Sequence, residues 1–270
     1  KLNEMWGSPV VVENRPGGGT NIASELVARA APDGYTLLLG GTPNTVNQSL
    51  YSKLPYDTLR DFAPVIYLDR APNVLAVHPS LPVKSVKELI ALAKKNPGAL
   101  TFASAGIGSS NHLSGELFRI MASIDIVHVP YKGGAAAVTD LLGGQISMYF
   151  GTTPSTMPLV RAGRLRGLAV STSKRTPAAP DLPTMAEAAL PGFDSSAWHG
   201  VFAPAATPQA VITRLNTDLN AVLKSADVVQ RFASQGIDPT GGSPSDFAAF
   251  VKHDIDKYRK LVKAAGIRVD

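Results

Sequence analysis

The sequence contains no cysteine. Thiolate nucleophiles, disulfides and cysteine-bound zinc or iron–sulfur clusters are therefore excluded, while the compartment stays open. No apolar run approaches the ~20 residues that a membrane-spanning helix needs, so a soluble protein is expected. The five histidines, at positions 78, 112, 128, 199 and 253, follow no metal-ligand spacing. There is no Walker GKS/T run and no G-x-S-x-G elbow. Acidic residues are scarce in the glycine- and hydroxyl-rich segments that would carry chemistry. Paired-carboxylate catalysis and magnesium coordination thus lack support, and no metal or cofactor is expected.

What is present describes a globular chain. Its 270 residues are 44% hydrophobic and 17% charged, enough for one large domain or two of ordinary size. The net charge of +5 is dispersed. The densest basic run, KHDIDKYRKLVK from Lys252 to Lys263, is broken by acids at helical spacing and reads as a solvated helix face. No nucleic-acid partner is expected, although the general field favours anions.

Strand-like and helical runs alternate along most of the chain. Strands are expected at 9–14, 35–40, 63–68, 73–78, 100–104, 126–130, 146–150, 165–170 and 199–203. Helices are expected at 20–31, 85–96, 111–123, 134–143, 154–163, 208–224 and 245–265. Such alternation predicts an α/β protein built on doubly wound, parallel sheets. NVLAVHPSLPVKSVKELIALAKK and HGVFAPAATPQAVITRLNTDLNAVLK both run strand, proline-punctuated turn, long amphipathic helix. They suggest a chain that leaves one domain (1–98 plus 201–270), builds a second (99–200) and returns. One continuous sheet remains an alternative at this level.

Three strand-to-helix junctions share a composition: LLLGGTPNTVN (37–47), TFASAGIGSSNH (101–112) and MYFGTTPST (148–156). Helix N-termini offer unpaired N–H groups and partial positive charge, hydroxyls add donors, and glycine allows close approach. The group favours an anion or carboxylate site, with ordinary helix capping as the plain alternative. Gly106 and Gly108 start a G-x-G, but Asn111 replaces the third glycine of a dinucleotide loop. His112 as a base for Ser109 or Ser110 would make a hydrolase or transferase, yet no orienting acid lies nearby in sequence. Binding without turnover is the better reading of these residues.

The N-terminal KLNEMWG reads as the tail of a helix, with Gly7 at its C-terminal cap. The helix is expected to begin upstream, so the absence of a signal peptide says nothing about export.

Taken together, VVVENRPGGGTNIASELVARAAPDGYTLLLG, LPYDTLRDFAPV, FASAGIGSSNHLSGELF, VHVPYKGGAAAVTDLLGGQISMYF, LRGLAVSTSKRTPAAPDLPTMAEA and WHGVFAPAATP resemble the substrate-binding proteins of tripartite tricarboxylate transporters, the Bug-type extracytoplasmic receptors. The resemblance implies a type II periplasmic binding fold, with two doubly wound α/β domains joined by two crossing segments around a ligand cleft. It implies a monomeric periplasmic receptor, not an enzyme. The receptor would close over an amino acid, a di- or tricarboxylate or an aromatic acid and deliver it to a membrane permease. Thr42, Asn44 and Asn47 would lie on a ligand loop of the first domain. Ser104, Gly106, Gly108, Ser109, Ser110 and His112 would form the carboxylate junction of the second. Tyr131, Lys132, Gly133, Gly151, Thr152 and Thr153 would sit on neighbouring loops, and Trp198 at the return crossing. Family members also begin with a further strand and a proline- and glycine-rich loop, so the first βα unit is expected to be missing here. A ligand sensor for a signalling partner would have the same crossing segments.

Overall fold

The computed structural model describes residues 1–269 of the chain. They form two compact units. The first comprises Lys1–Arg70, Trp198–Phe232 and the chain from Asp238 onward; the second comprises Ala71–Ala197 and Ala233–Ile237.

In the second unit a mixed sheet is built from β3 (Leu100–Ser104), β4 (Ile126–Pro130), β5 (Met148–Thr152), β6 (Arg166–Val170) and the far half of β2 (Phe62–Val77). β3 pairs in parallel with β4 and β5, and β2 pairs antiparallel with β5 and β6. The expectation of wholly parallel sheets is therefore corrected, because β2 enters against the others. Period-two alternation sorts the side chains onto two faces. Leu75, Val77, Phe102, Met148 and Phe150 share one core with α5 (Val86–Lys95) and α6 (Ser110–Ala122). Ala76, Ala103 and Tyr149 share the other with α7 (Gly134–Leu142) and residues of α8 (Thr153–Arg161). Small residues on the second face let these helices approach closely. Each large ring or aliphatic side chain buried on the first is worth roughly 1.5–3 kcal/mol.

The first unit contains α1 (Leu2–Trp6), a 3-10 turn (Gly18–Thr20), α2 (Asn21–Ala28), β1 (Leu38–Gly41), α3 (Thr42–Leu50), α4 (Thr58–Asp61) and the near half of β2. β7 (Ser196–Pro204), α10 (Gln209–Leu223), α11 (Ala226–Gln235), β8 (Asp238–Pro239) and α12 (Pro244–Ala265) complete it, the residues of α11 from Ala233 grouping with the second unit. The short α9 (Met185–Ala188) belongs to the second unit. β1 runs antiparallel to β7. Trp198 and Phe202 of β7 pack on Phe247 of α12, with Tyr67 and Phe250 completing an edge-and-stack aromatic cluster. Gly200 leaves room for the Phe247 ring, which a Cβ would overlap.

Several expectations are corrected. The 9–14 run is not a strand; Val11 and Val12 are 82% and 80% exposed. A β-branched run has strand propensity, but without a pairing neighbour it has no ladder to join. The strands expected at 63–68 and 73–78 are one, β2. The chain passes between units inside that strand, at Arg70/Ala71, and returns within β7 at Ala197/Trp198. Residues 71–98, expected with the first domain, thus group with the second. Gly7 caps α1 in the left-handed conformation, φ 63°. Among the described residues no helix is long and apolar enough to cross a membrane.

Candidate functional site

In the second unit, β4, β3 and β5 are adjacent and parallel, so their C-terminal ends share one edge. β4 and β3 lead through short loops into α7 and α6, and β5 runs directly into α8, so that the three helix N-termini gather at that edge. Neither Gly133, the N-cap of α7, nor Thr152, the N-cap of α8, caps its helix with a side chain. The first-turn N–H groups of α7, and those of α8 apart from Pro154, which has none, are left for another acceptor, and each helix end carries roughly half a positive charge.

The central loop is fixed by local bonds. The Ser104 hydroxyl lies 2.7 Å from His128 Nε2 and accepts from Gly106 N at 3.2 Å. Gly106 and Gly108 adopt φ of 131° and 81°, a region that side chains disfavour. Ser109 caps α6, accepting from His112 N at 3.3 Å and donating to Gly106 O at 2.7 Å. His112 Nδ1 accepts from Gly108 N at 3.2 Å. Ser110 is buried, and Asn111 donates to Phe150 O at 2.6 Å. The His112 and His128 rings lie 4.0 Å apart, with Phe102 stacked on His128. Burial, then neighbouring His128 and Arg119, push His112 down to about 3; burial alone brings His128 to about 4. Both imidazoles are therefore neutral at ordinary pH.

On the flanking loops, Gly133 has φ 113°, donates to Ala105 O at 3.2 Å and has open space where a Cβ would stand. Lys132 is exposed. The Tyr131 hydroxyl donates to Asp140 Oδ2 at 2.7 Å, and burial together with that carboxylate raises it to about 12. Gly151 has no room for a Cβ, which would overlap Thr156 and Tyr149. Thr152 Oγ1 lies 3.1 Å from Ser155 Oγ. Thr153 turns inward and donates to Gly236 O at 2.7 Å, so its hydroxyl serves the fold.

In the first unit, α3 opens with Thr42, whose buried hydroxyl has no partner. Asn44 accepts from Gly41 N and donates to Ser24 Oγ, both at 2.9 Å. Asn47 donates to Gly19 O and Asn21 Oδ1 at 2.8 and 2.7 Å. Both asparagines thus hold α3 to its own strand or to the α2 region. Trp198 is 1% exposed, and its indole N–H donates to Asp254 Oδ2 at 3.0 Å. Its expected place among ligand contacts gives way to a place in the core.

Sequence reading missed a buried polar network behind α6. Asn73 donates through Nδ2 to Ser114 Oγ at 3.0 Å and through its backbone N to Ser171 Oγ at 2.9 Å, and Ser114 meets Ser195 at 2.9 Å. An asparagine inside an otherwise apolar strand was the available signal. His128 was legible as a histidine within a strand, but its link to Ser104 was not.

Residues 1–267 match the model of the tripartite tricarboxylate transporter family receptor, TctC. Among solved structures, Rpa4515 of R. palustris, solved with adipate, is 40% identical with a TM-score of 0.91, covering 99% of this chain and 90% of that one. The periplasmic binding protein BugD is 34% identical at a TM-score of 0.88, covering 99% and 91%. MatC from Rhodopseudomonas palustris, with bound malate, is 31% identical at a TM-score of 0.86, covering 97% and 90%. The fold is accordingly the mixed α/β fold of the periplasmic binding proteins.

Proposed function

The chain belongs to the tripartite tricarboxylate transporter receptor family, a family of solute-binding proteins and not of enzymes, and on that premise we propose that it captures a small organic carboxylate in the periplasm and hands it to a membrane permease of the tripartite type. The observation that carries this reading is the gathering of the α6, α7 and α8 N-termini at one sheet edge, two of them without side-chain caps. In the second unit the ligand carboxylate is gripped by backbone N–H groups of these helix starts and by the Thr152 hydroxyl, while Ser109 caps α6. Gly106, Gly108, Gly133 and Gly151 keep the approach clear, while Ser104, Ser110 and His112 hold the loop in shape. Tyr131 and Lys132 frame it. A carboxylate placed there exchanges water for preoriented donors, each charge-assisted bond being worth about 1.5–3 kcal/mol.

Thermal unfolding of the full chain with adipate, malate, amino acids and aromatic acids tests the proposal. A cognate ligand at 100 times its Kd adds about 2.7 kcal/mol to stability and raises the Tm. Failure of every member of the panel to shift the transition would refute it.

A further inference from the structure

The face of the second-unit sheet that carries α7 and α8 holds a polar group that the fold does not use. Tyr149 of β5 stands in register with Ala76 of β2 and Ala103 of β3, both small. It is 2% exposed and shares a core with those alanines and with Ala137 and Leu141 of α7. Its hydroxyl nevertheless bonds to no group among the described residues. Nor is the oxygen sealed in, as the unbonded side-chain atoms of Thr42, Asn73 and Thr207 are, so part of the small exposed area belongs to it.

Two glycines make the slot in which this side chain lies. A Cβ on Gly151, two residues further along the same face of β5, would stand 2.6 and 2.8 Å from Tyr149 Cε1 and Cδ1. The ring therefore leans toward the C-terminal end of β5, the edge at which α7 and α8 begin. A Cβ on Gly134 would stand 2.9 Å from the Tyr149 hydroxyl and meet nothing else within 4 Å. Gly134 is the first residue of α7, a nine-residue helix whose N-cap, Gly133, offers no side chain to its first N–H groups. An unbonded hydroxyl thus stands beside a helix start that lacks an internal acceptor.

We propose that the Tyr149 hydroxyl and the first-turn N–H groups of α7 form one oxygen-binding subsite, in which the tyrosine donates to the carboxylate of the bound ligand. This deepens the receptor reading above and rests on it. A buried hydroxyl without a partner is unfavourable, and a ligand oxygen supplies the acceptor it lacks. A charged acceptor forms shorter and stronger bonds with such donors than a neutral one. The partial positive charge of the helix start likewise favours an anion over an amide or ester at this point. Burial alone pushes Tyr149 up to about 12, so the hydroxyl keeps its proton and remains a donor. The Tyr131 hydroxyl, on a ring packed against the same core, cannot take its place, because it already donates to Asp140 Oδ2 at 2.7 Å.

Isothermal titration of the full chain and of Y149F with adipate, malate, glutamate and benzoate, beside urea unfolding of both without ligand, tests this. Y149F keeps the ring and removes an oxygen that the protein does not bond. Its unliganded urea midpoint is therefore expected to be unchanged or slightly raised, whereas loss of a hydroxyl serving the fold would lower it. The acid that the wild type binds most tightly is expected to lose about tenfold in affinity, the size of one charge-assisted bond. G134A, whose methyl would crowd the hydroxyl, is expected to weaken the same acid in the wild type and to add little in Y149F. Undiminished affinity in Y149F, or a loss matched by a lowered urea midpoint, would overturn the subsite and leave the receptor reading standing. No binding of any of the four acids by the wild type would also overturn the subsite; a Tm shift with another acid would then keep the receptor reading, and no shift with any acid would remove both.

Discussion

Gly115 of α6 lies directly against the ring of Phe102 on β3, and replacing it by alanine is expected to destabilise the second unit. A Cβ at this position would overlap two atoms of the Phe102 ring and stand 3.0 Å from a third. The ring cannot retreat, because Phe102 is fully buried and stacks on His128 with centroids 4.9 Å apart. Two effects oppose each other. Removing a glycine from a helix interior gains about 1 kcal/mol, while overpacking a filled core costs about 1–3 kcal/mol. Two overlapped atoms on a rigid ring place the cost toward the upper end, so a net loss of about 1–2 kcal/mol is expected. Urea unfolding would show a lower midpoint at unchanged slope. The Phe102→Leu background supplies the control, since shortening the ring vacates the overlapped volume. There Gly115→Ala is expected to be neutral or mildly stabilising, a coupling of about 2 kcal/mol. A stabilised Gly115→Ala in the wild-type background, or the same effect in both backgrounds, would refute the packing argument. Because α6 carries the central loop on its first turn, carboxylate affinity is expected to fall with it.

Other consequences are equally direct. Ser109→Ala removes the side-chain cap of α6 and is expected to cost about 1 kcal/mol in urea unfolding, with weaker carboxylate binding in titration. His112 and His128 sit well below the unfolded histidine value, at about 3 and about 4. The unfolded chain therefore takes up protons first: their stability is full above about pH 6.5 and drains as pH falls toward these values, at up to about 1.4 kcal/mol per pH unit for each. Unfolding midpoints at pH 7 and pH 5 measure that slope, and it should diminish in His112→Gln. Asp254 is buried, takes hydrogen bonds from Thr45 and Trp198 at 2.7 and 3.0 Å, and is held above the usual carboxylate range by burial. Asp254→Asn keeps an acceptor for both donors and should change stability by less than about 1 kcal/mol, whereas Asp254→Ala strands two buried donors and should cost about 2–4 kcal/mol in the same assay.

The elements most legible in the sequence were those whose pattern is local. LTFAS and IVHVP are short apolar runs that occupy β3 and β4 with the expected bounds, and GAAAVTDLL forms α7 between its glycines. β2 was split into 63–68 and 73–78, yet the strand runs through Asp69 and Arg70, which pair with β8, and the buried Asp69 carboxylate is satisfied by His199. α3 was not assigned bounds because TPNTVNQSL has few apolar positions, its buried asparagines being satisfied by bonds to α2 and the glycine turn. The junctions were visible as glycine and hydroxyl clusters at strand ends. Which hydroxyls the protein consumes itself was not, since Thr153 finds Gly236 across 83 positions and His199 finds Asp69 across 130.

The same bonds decide between holding a ligand and transforming one. Ser104 beside His128 has the spacing of a nucleophile and its base, and Ser109 beside His112 has the proximity in sequence. A base useful near neutral pH needs a pKa near that pH and a free lone pair aimed at the hydroxyl. His128, at about 4, fails the first condition, and among the described residues no carboxylate bonds its other nitrogen to raise it. His112 fails both: it sits at about 3, and its Nδ1 lone pair is taken by Gly108 N. Ser109 in turn gives its proton to Gly106 O and its lone pair to the helix. Glu116, the nearest acid, pairs with Arg119 at 2.8 Å and stands 3.9 Å from His112 Nε2. Two neutral rings stacked on Phe102 therefore act as rigid, chargeless braces for the loop. That is a liability for proton transfer and an advantage for a receptor, whose donors must keep their geometry whether or not the carboxylate is present.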